Sequence, residues 1–213
     1  YTQTSKPLPA ATCAAISPAG PPPITAIFFG APIEGMPIPV IMSVQCNGII
    51  PTMPYFSILA TLAYVLSPDT KQVLLVHRNA RPNDEHLGKY NGLGGKVEDN
   101  EDVLASIRRE VMEEAGIECL DITLRGSISW PFFGKHGEHW YGLIFLVERF
   151  SGTPFSSNPE GDLRWVDVDK LMDLPMWDGD RHFLPLVVDG DPRPFHGVMP
   201  YENGKMKSWH YSR

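Results

Sequence analysis

The sequence predicts one α+β domain, from about residue 53 to the end of the chain, in which a mixed β-sheet carries flanking helices. Three observations favour this class: an apolar strand pair joined by a turn, an amphipathic helix followed by glycine, and further strand-like segments before a second helix. No internal repeat is visible. Together these elements indicate a mixed-sheet sandwich in a single domain.

The predicted strands are short runs rich in apolar and β-branched residues. YFSILATLAYVLS and KQVLLVHRN are separated by the turn-like PDT, which predicts a hairpin. A polar loop with several glycines, ARPNDEHLGKYNGLGGK, follows the hairpin. Later strands are predicted in CLDITLRGSISWPFF, HWYGLIFLVERFSG and GDLRWVDVDKL.

Two helices are predicted among these strands. The first spans about residues 101–115, and Gly116 stands where a C-terminal glycine is expected. The second lies in DGDRHFLPLVVDG, and we expect it to be interrupted or bent near Pro185.

Residues 1–52 differ in composition from the rest of the chain. They hold 10 of the 21 prolines but only two charged side chains, Lys6 and Glu34, so long helices and central strands are not expected there. Met53 directly precedes the first strand pattern. We therefore expect residues 1–52 to be a Pro-rich extension, disordered or not native, and residues 53–213 to form the folding unit.

Composition and charge exclude several functional classes. The formal net charge of −7 argues against a surface for nucleic-acid polymers or anionic membranes, which use clustered Lys and Arg. A phosphate-bearing small molecule stays possible, because a bound divalent cation reverses the local field. The three cysteines, Cys13, Cys46 and Cys119, show no disulfide or zinc spacing. Reduced thiols and a cytoplasmic location are the simplest interpretation.

The first helix carries a concentration of acidic residues. Glu110 and Glu114 are four residues apart on one flank of the apolar stripe, and Glu113 lies three residues from Glu110. A solvated acidic face is one interpretation. The alternative is a cation site, because like charges at this spacing repel each other and oppose the helix dipole, and carboxylates are preferred ligands of Mg²⁺.

The spacing around these glutamates matches a known signature. From Gly95, five residues precede Glu101 and seven more precede the run REVMEEAGI, which begins at Arg109. With every fixed position filled, the chain resembles the Nudix hydrolases. The resemblance implies a Nudix fold, which is an α/β/α sandwich with a mixed β-sheet, and glutamates that hold Mg²⁺ or Mn²⁺. The implied reaction is hydrolysis of a nucleoside diphosphate linked to another group.

Roles follow from the resemblance residue by residue. Glu110, Glu113 and Glu114 are the expected metal ligands, and Arg109 and Glu101 are expected to hold these carboxylates in position.

Further site residues lie outside the helix. Gly94 and Gly95 are expected to let the backbone approach phosphate and metal closely, with Gly95 counted among the metal-binding residues. Glu160 aligns with an additional acidic residue and is the candidate for a further ligand or a base. Lys96 is a candidate phosphate contact, although a lysine beside a glycine turn is usually only solvated.

The wider sequence is similar to one Nudix subgroup, the MutT-like 8-oxo-dGTP diphosphatases. The similarity runs from about Ser57 to Lys205 through YNGLGGK, GTPFSSNPEGDLRWVDVDKL, MWDGDRHFLPLV and PRPFHGVMPYENGK. It implies that Asn91 hydrogen-bonds the purine, Trp177 stacks on it and Asp180 reads its edge. Alternatives stay open, since Trp177 can be core packing and Asn91 a turn residue.

Two positions depart from this subgroup. Gly179 replaces one of two adjacent aspartates, and Glu85 stands where an aromatic wall is expected, so base selectivity is open. The predicted function is metal-dependent hydrolysis of an oxidised purine nucleoside triphosphate to the monophosphate and pyrophosphate. Alternatives are a Nudix hydrolase of ADP-sugars or dinucleoside polyphosphates, or a non-catalytic nucleotide-binding module. We expect a monomer or homodimer with a small-molecule nucleotide partner.

Overall fold

The computed structural model of the protein describes residues 55–213, so the prediction for residues 1–52 lies outside the described residues. Two α-helices and eleven strands occur in this part of the chain. The helices are α1, Val103–Ala115, and α2, Asp180–Val188. The strands are β1 Ile58–Leu66, β2 Gln72–His77, β3 Tyr90–Asn91, β4 Glu118–Trp130, β5 Trp140–Ser151, β6 Ser157–Asn158, β7 Gly161–Asp167, β8 Phe195–Val198, β9 Tyr201–Glu202, β10 Lys205–Met206 and β11 His210–Ser212.

The central sheet is mixed, as predicted. Its strand order is β11-β8-β4-β5-β1-β2-β7-β6, and β3 pairs with β2. The β1–β5 and β4–β8 pairs are parallel, whereas the other pairs are antiparallel. The predicted hairpin is confirmed, because β1 and β2 run antiparallel with Val65 opposite Leu74.

The sheet has a hydrophobic core on each face, which makes the domain an α/β/α sandwich. Successive side chains of a strand point to opposite faces, and β1 shows this alternation. Ala63 and Val65 pack with α1, whereas Tyr64 and Leu66 pack with α2. One strand therefore contributes to both cores, and the two helices lie on opposite sides of the same sheet.

Helix α1 agrees with the prediction within two residues. The Asp102 side chain caps its start by accepting hydrogen bonds from the backbone N–H groups of Leu104 and Ala105, and Gly116 ends it with a φ of 70°. Helix α2 runs without interruption through Pro185, so the predicted interruption is absent.

Arginine side chains complete the end of α2. Arg125 and Arg213 donate to the carbonyls of Val187 and Leu186 and to the Asp189 carboxylate, which satisfies groups that a helix terminus leaves free. The short strands β3, β6 and β8–β11 and the 3₁₀ helix Val168–Asp173 were not predicted. Among the described residues, no helix is long and apolar enough to cross a membrane.

Candidate active site

The glycine-rich loop before α1 is joined to β1 by backbone hydrogen bonds. The N–H groups of Thr61 and Ala63 donate to the carbonyls of Gly95 and Leu93 at 2.8 and 2.6 Å. Gly94 has a φ of +146°, and a Cβ there would lie 2.2 Å from the Thr61 carbonyl oxygen. Only glycine fits this approach, so the loop is held directly against the sheet.

Glu114 contacts this loop. Its Oε2 accepts a hydrogen bond from the Gly94 N–H at 3.0 Å. The pKa of Glu114 is raised to about 8, chiefly by burial and also by the nearby carboxylates of Glu160 and Glu110, against the opposing effect of the Gly94 hydrogen bond. Two glutamates of α1 and the distant Glu160 are therefore close enough to oppose one another's ionisation.

Arg109 connects the remaining acidic residues of the signature. It binds both carboxylate oxygens of Glu101, at 3.1 and 2.7 Å. Its Nη1 also donates to Glu110 at 2.9 Å and to Glu113 at 3.3 Å. These hydrogen bonds hold the pKa of Glu101 at about 2. Arg109 and Glu101 thus lie where a positioning pair is expected.

The three helix glutamates are not equivalent. Glu113 has 60% of its side chain exposed, whereas Glu110 has 14%. A Cβ at Gly95 would lie 2.4 Å from Glu110 Oε1, so Gly95 packs directly on this carboxylate. Glu110 and Glu114 therefore face the loop, while Glu113 lies further toward solvent.

Glu160 approaches from the turn between β6 and β7. Arg78 binds Glu160 and also donates to Asp84 Oδ2 at 2.9 and 2.6 Å. The turn is linked to α1 by Asn158, which donates to the Glu114 carbonyl and accepts from the Glu160 N–H. This network places Glu160 beside the helix glutamates, although it is far from them in sequence.

A cavity of about 580 Å³ lies next to these groups. It has the size of a small-molecule site. Its lining includes Gly94, Gly95 and Glu160, which with the neighbouring Glu110 and Glu114 are called the acidic end, and residues predicted to bind the purine, which are called the purine end. Those residues, with the further groups found beside them, are Glu85, His86, Asn91, Trp177 and Asp180.

At the purine end, Asn91 and Trp177 share a hydrogen-bond partner. Asn91 Nδ2 lies 3.2 Å and Trp177 Nε1 2.8 Å from His86 Nδ1. The Asn91 Oδ1 atom is buried and has no partner among the described residues. Lys89 Nζ lies 4.6 Å over the Trp177 ring, so one face of the indole is covered. Trp177 is thus a cavity wall and not only core packing.

Asp180 lines the same end as the first residue of α2. Burial raises the pKa of its carboxyl to about 7. A carboxyl with this pKa is present in both protonation states near neutral pH, so it can donate or accept a hydrogen bond at a base edge. Asp178, two residues before it, is exposed.

Lys96 lies at the wall of the cavity. Its Nζ is 5.4 Å from the centre of the Trp140 ring, and both residues line the cavity. A cation in the cavity lining can attract an anionic group of a bound molecule.

The acidic end has the chemistry of a divalent-cation site. Glu110, Glu114 and Glu160 offer carboxylate oxygens, the ligand type that hard cations take, and their mutual repulsion would be relieved by a bound cation. Within residues 55–213, no three His, Cys, Asp or Glu side chains stand close enough to ligate an ion as they are. The donor set therefore fits Mg²⁺ or Mn²⁺ in type and charge.

Most predicted site residues lie in or beside this cavity. Five of them do not line it: Glu101, Arg109, Glu110, Glu113 and Glu114. Glu110 and Glu114 are next to it through their contacts with the lining glycines Gly95 and Gly94. Prediction from the sequence missed four groups: Arg78, Asp84, His86 and Lys89. For Asp84, His86 and Lys89, a usable signal was their position in the polar loop between the first hairpin and YNGLGGK, since loops between regular elements commonly carry function. Arg78 lies at the end of the predicted second strand.

Comparisons with known proteins agree with this geometry. The NUDIX domain model matches residues 57–187. The chain is 35% identical to the uncharacterized Nudix hydrolase YvcI of Bacillus subtilis, over 64% of this chain and 83% of that protein. It is 33% identical to the oxidized purine nucleoside triphosphate hydrolase of Danio rerio, over 63% of this chain and 81% of that protein. The crystal structure of the mutator MutT protein from Bacillus halodurans is similar with a TM-score of 0.63 and 28% identity, covering 72% of this chain and 97% of that one.

Proposed function

The chain belongs to the Nudix hydrolase family, and on that premise we propose that it hydrolyses a modified purine nucleoside triphosphate to the monophosphate and pyrophosphate. The observation that carries this proposal is the two-ended cavity. An acidic end at the glycine loop and a purine end with an indole, an amide and a carboxyl belong to the same cavity. This arrangement fits a molecule with phosphates at one end and a purine at the other.

The purine end supplies the contacts that a base requires. The free face of Trp177 offers a stacking surface, and stacking of a base on an aromatic side chain contributes about 1 to 3 kcal/mol. Asn91 Oδ1 is a buried acceptor without a partner, so it suits an N–H donor on the base edge. The hydrolase of Danio rerio, whose name specifies oxidized purine nucleoside triphosphates, supports this class of substrate.

The acidic end supplies the hydrolytic groups. Glu110, Glu114 and Glu160 would hold Mg²⁺ or Mn²⁺, with a contribution from Glu113 and the Gly95 carbonyl. A divalent cation in such a site neutralises charge on phosphate oxygens and lowers the pKa of bound water. The protein groups orient this chemistry: Arg109 and Glu101 hold the helix carboxylates, and Arg78 holds Glu160.

A substrate screen tests the proposal directly. Purified protein with Mg²⁺ or Mn²⁺ is incubated with 8-oxo-dGTP, 2-hydroxy-dATP, the unmodified triphosphates, ADP-ribose and a dinucleoside polyphosphate, and release of pyrophosphate and phosphate is measured. We expect pyrophosphate from an oxidised purine triphosphate at the highest kcat/KM. A clear preference for ADP-ribose or a dinucleoside polyphosphate contradicts the proposal but leaves the family assignment intact.

A further inference from the structure

His86 stands between the two residues that face the base. It belongs to the loop before β3, whereas Trp177 precedes α2, and the two segments are joined by the hydrogen bond from the Tyr90 N–H to the Pro175 carbonyl at 2.9 Å. The imidazole meets the indole edge-on, with ring centres 5.5 Å apart and planes at 85°. In this arrangement the Nδ1 atom of His86 is the shared hydrogen-bond partner of Asn91 Nδ2 and Trp177 Nε1.

The chemistry of these atoms fixes the direction of both hydrogen bonds. An indole N–H can only donate, so His86 Nδ1 must carry a lone pair and the ring proton must be on Nε2. An amide oxygen placed against that lone pair would be repelled. Asn91 therefore turns its NH₂ group to His86 and presents Oδ1 elsewhere, which agrees with the buried, unpartnered Oδ1.

The surroundings of His86 favour the neutral ring that this arrangement requires. Burial lowers the pKa of His86, and the charge of Arg78 lowers it further, against the opposing carboxylates of Asp84, Glu85 and Glu160. On the Nε2 side, Glu85 Oε1 lies 3.8 Å away, where it suits the Nε2–H tautomer. Lys89, the other nearby cation, lies over the Trp177 ring.

We propose that His86 is a positioning residue for substrate selectivity: it fixes the Asn91 amide with its NH₂ group toward His86 and its oxygen turned away, and it fixes the plane of the Trp177 indole. The substrate class that it selects is a purine with an N–H donor at the edge facing Asn91, and this identification rests on the proposed function. Without the shared acceptor, Asn91 can flip and present NH₂, so bases with an acceptor at that edge bind as well.

Three variants separate positioning from simple structural support. His86→Leu removes the acceptor, and His86→Asn restores one, because the Asn Oδ1 reaches the place of the imidazole Nδ1. His136→Leu changes an exposed histidine outside the cavity lining and serves as the matched control. Thermal melting of each variant shows that the comparison is made between folded proteins.

The first readout needs no substrate. In a ¹H–¹⁵N spectrum, the Trp177 indole signal is assigned from its loss in Trp177→Phe. We expect this signal to shift and its N–H to exchange faster with solvent in His86→Leu, and to return toward the native position in His86→Asn. An indole signal that is unchanged in His86→Leu, with the protein folded, overturns the proposal.

The second readout is kinetic, with 8-oxo-dGTP and dGTP as probes. In His86→Leu we expect the ratio of kcat/KM values between the two to change by about 5- to 30-fold through KM, with kcat nearly constant, and to recover in His86→Asn. Loss of kcat on both probes with an unchanged ratio contradicts selectivity control. If neither probe is hydrolysed, the proposed function fails, while the indole signal still decides whether His86 positions Trp177.

Discussion

The two ends of the cavity are built in different ways. At the acidic end, one continuous stretch, residues 94–116, contributes the glycine loop and the helix carboxylates, and only Glu160 comes from elsewhere. At the purine end, the groups come from the loop before β3 and from the start of α2, brought together across the sheet edge. The comparison teaches that chemistry confined to one segment and recognition assembled from several are separable parts of this site.

The largest expected effect is at the acidic end. Glu114→Gln keeps the size of the side chain but weakens a carboxylate ligand, so we expect kcat to fall on the order of 10³-fold with Mg²⁺. The ratio of kcat/KM between 8-oxo-dGTP and dGTP stays unchanged if the two ends are independent. Steady-state kinetics on both probes give the two quantities.

Glu118→Gln is the matched control for this substitution, because Glu118 is an exposed residue just beyond the helix. It should retain native kcat. Unchanged turnover in Glu114→Gln refutes a metal role for this residue, and an altered substrate ratio shows that the ends are coupled. The alternative of a non-catalytic nucleotide-binding module requires that the native protein and the variant both bind nucleotide without measurable turnover.

At the purine end, Trp177→Ala is expected to act mainly through KM. Loss of the stacking surface should lower kcat/KM for the purine triphosphate by about 10- to 100-fold while kcat changes little. Trp177→Phe keeps an aromatic face but removes the N–H that His86 accepts, so an intermediate loss is expected. A fall in kcat that matches the fall in kcat/KM would mean that the indole acts on the transition state, against the separation of the two ends.

The same contrast explains what the sequence could predict. Helix α1 was predicted with its C-terminal glycine because capping and the apolar stripe are local. The contact of Arg109 with Glu101 agrees with the positioning role that the resemblance implies for both residues, which belong to one continuous segment. The order of strand-like runs predicts the mixed sheet. The short strands could not be predicted, because they have too few residues to show the two-residue alternation of a β-strand.

Other features depend on tertiary contacts that no local pattern contains. His86 gains its place only because the loop before β3 meets the segment before α2. Arg78 is placed by Asp84 and by Glu160, the latter being distant in sequence. Tertiary contacts also stabilise α2 across Pro185. Phe183, Leu184 and Val187 pack into the core, and arginine side chains bind the last carbonyls of the helix.

The smallest expected effect concerns the stability of the purine end. Burial raises the pKa of Asp180 to about 7 from an ordinary value of 3.8. Because the folded-state pKa lies above the unfolded one, ionisation opposes folding: the penalty is absent below the unfolded pKa, grows as the pH rises toward 7 and is constant above that. Asp180→Asn removes the titration. The free energy of unfolding of this variant should therefore increase relative to that of the native protein as the pH rises.

We expect this gain to be roughly 1 to 2 kcal/mol between pH 5 and pH 8, less than the full shift implies because solvent reaches the side chain through the cavity. Urea unfolding of both proteins at each pH gives the difference, and Asp178→Asn, at an exposed neighbour, should show no such trend. Parallel pH profiles for native protein and Asp180→Asn would show that this carboxyl is as solvated as an exposed one. Asp180 would then be ionised at neutral pH and could only accept a hydrogen bond at the base edge, whereas a bound cation would balance the carboxylates of the acidic end.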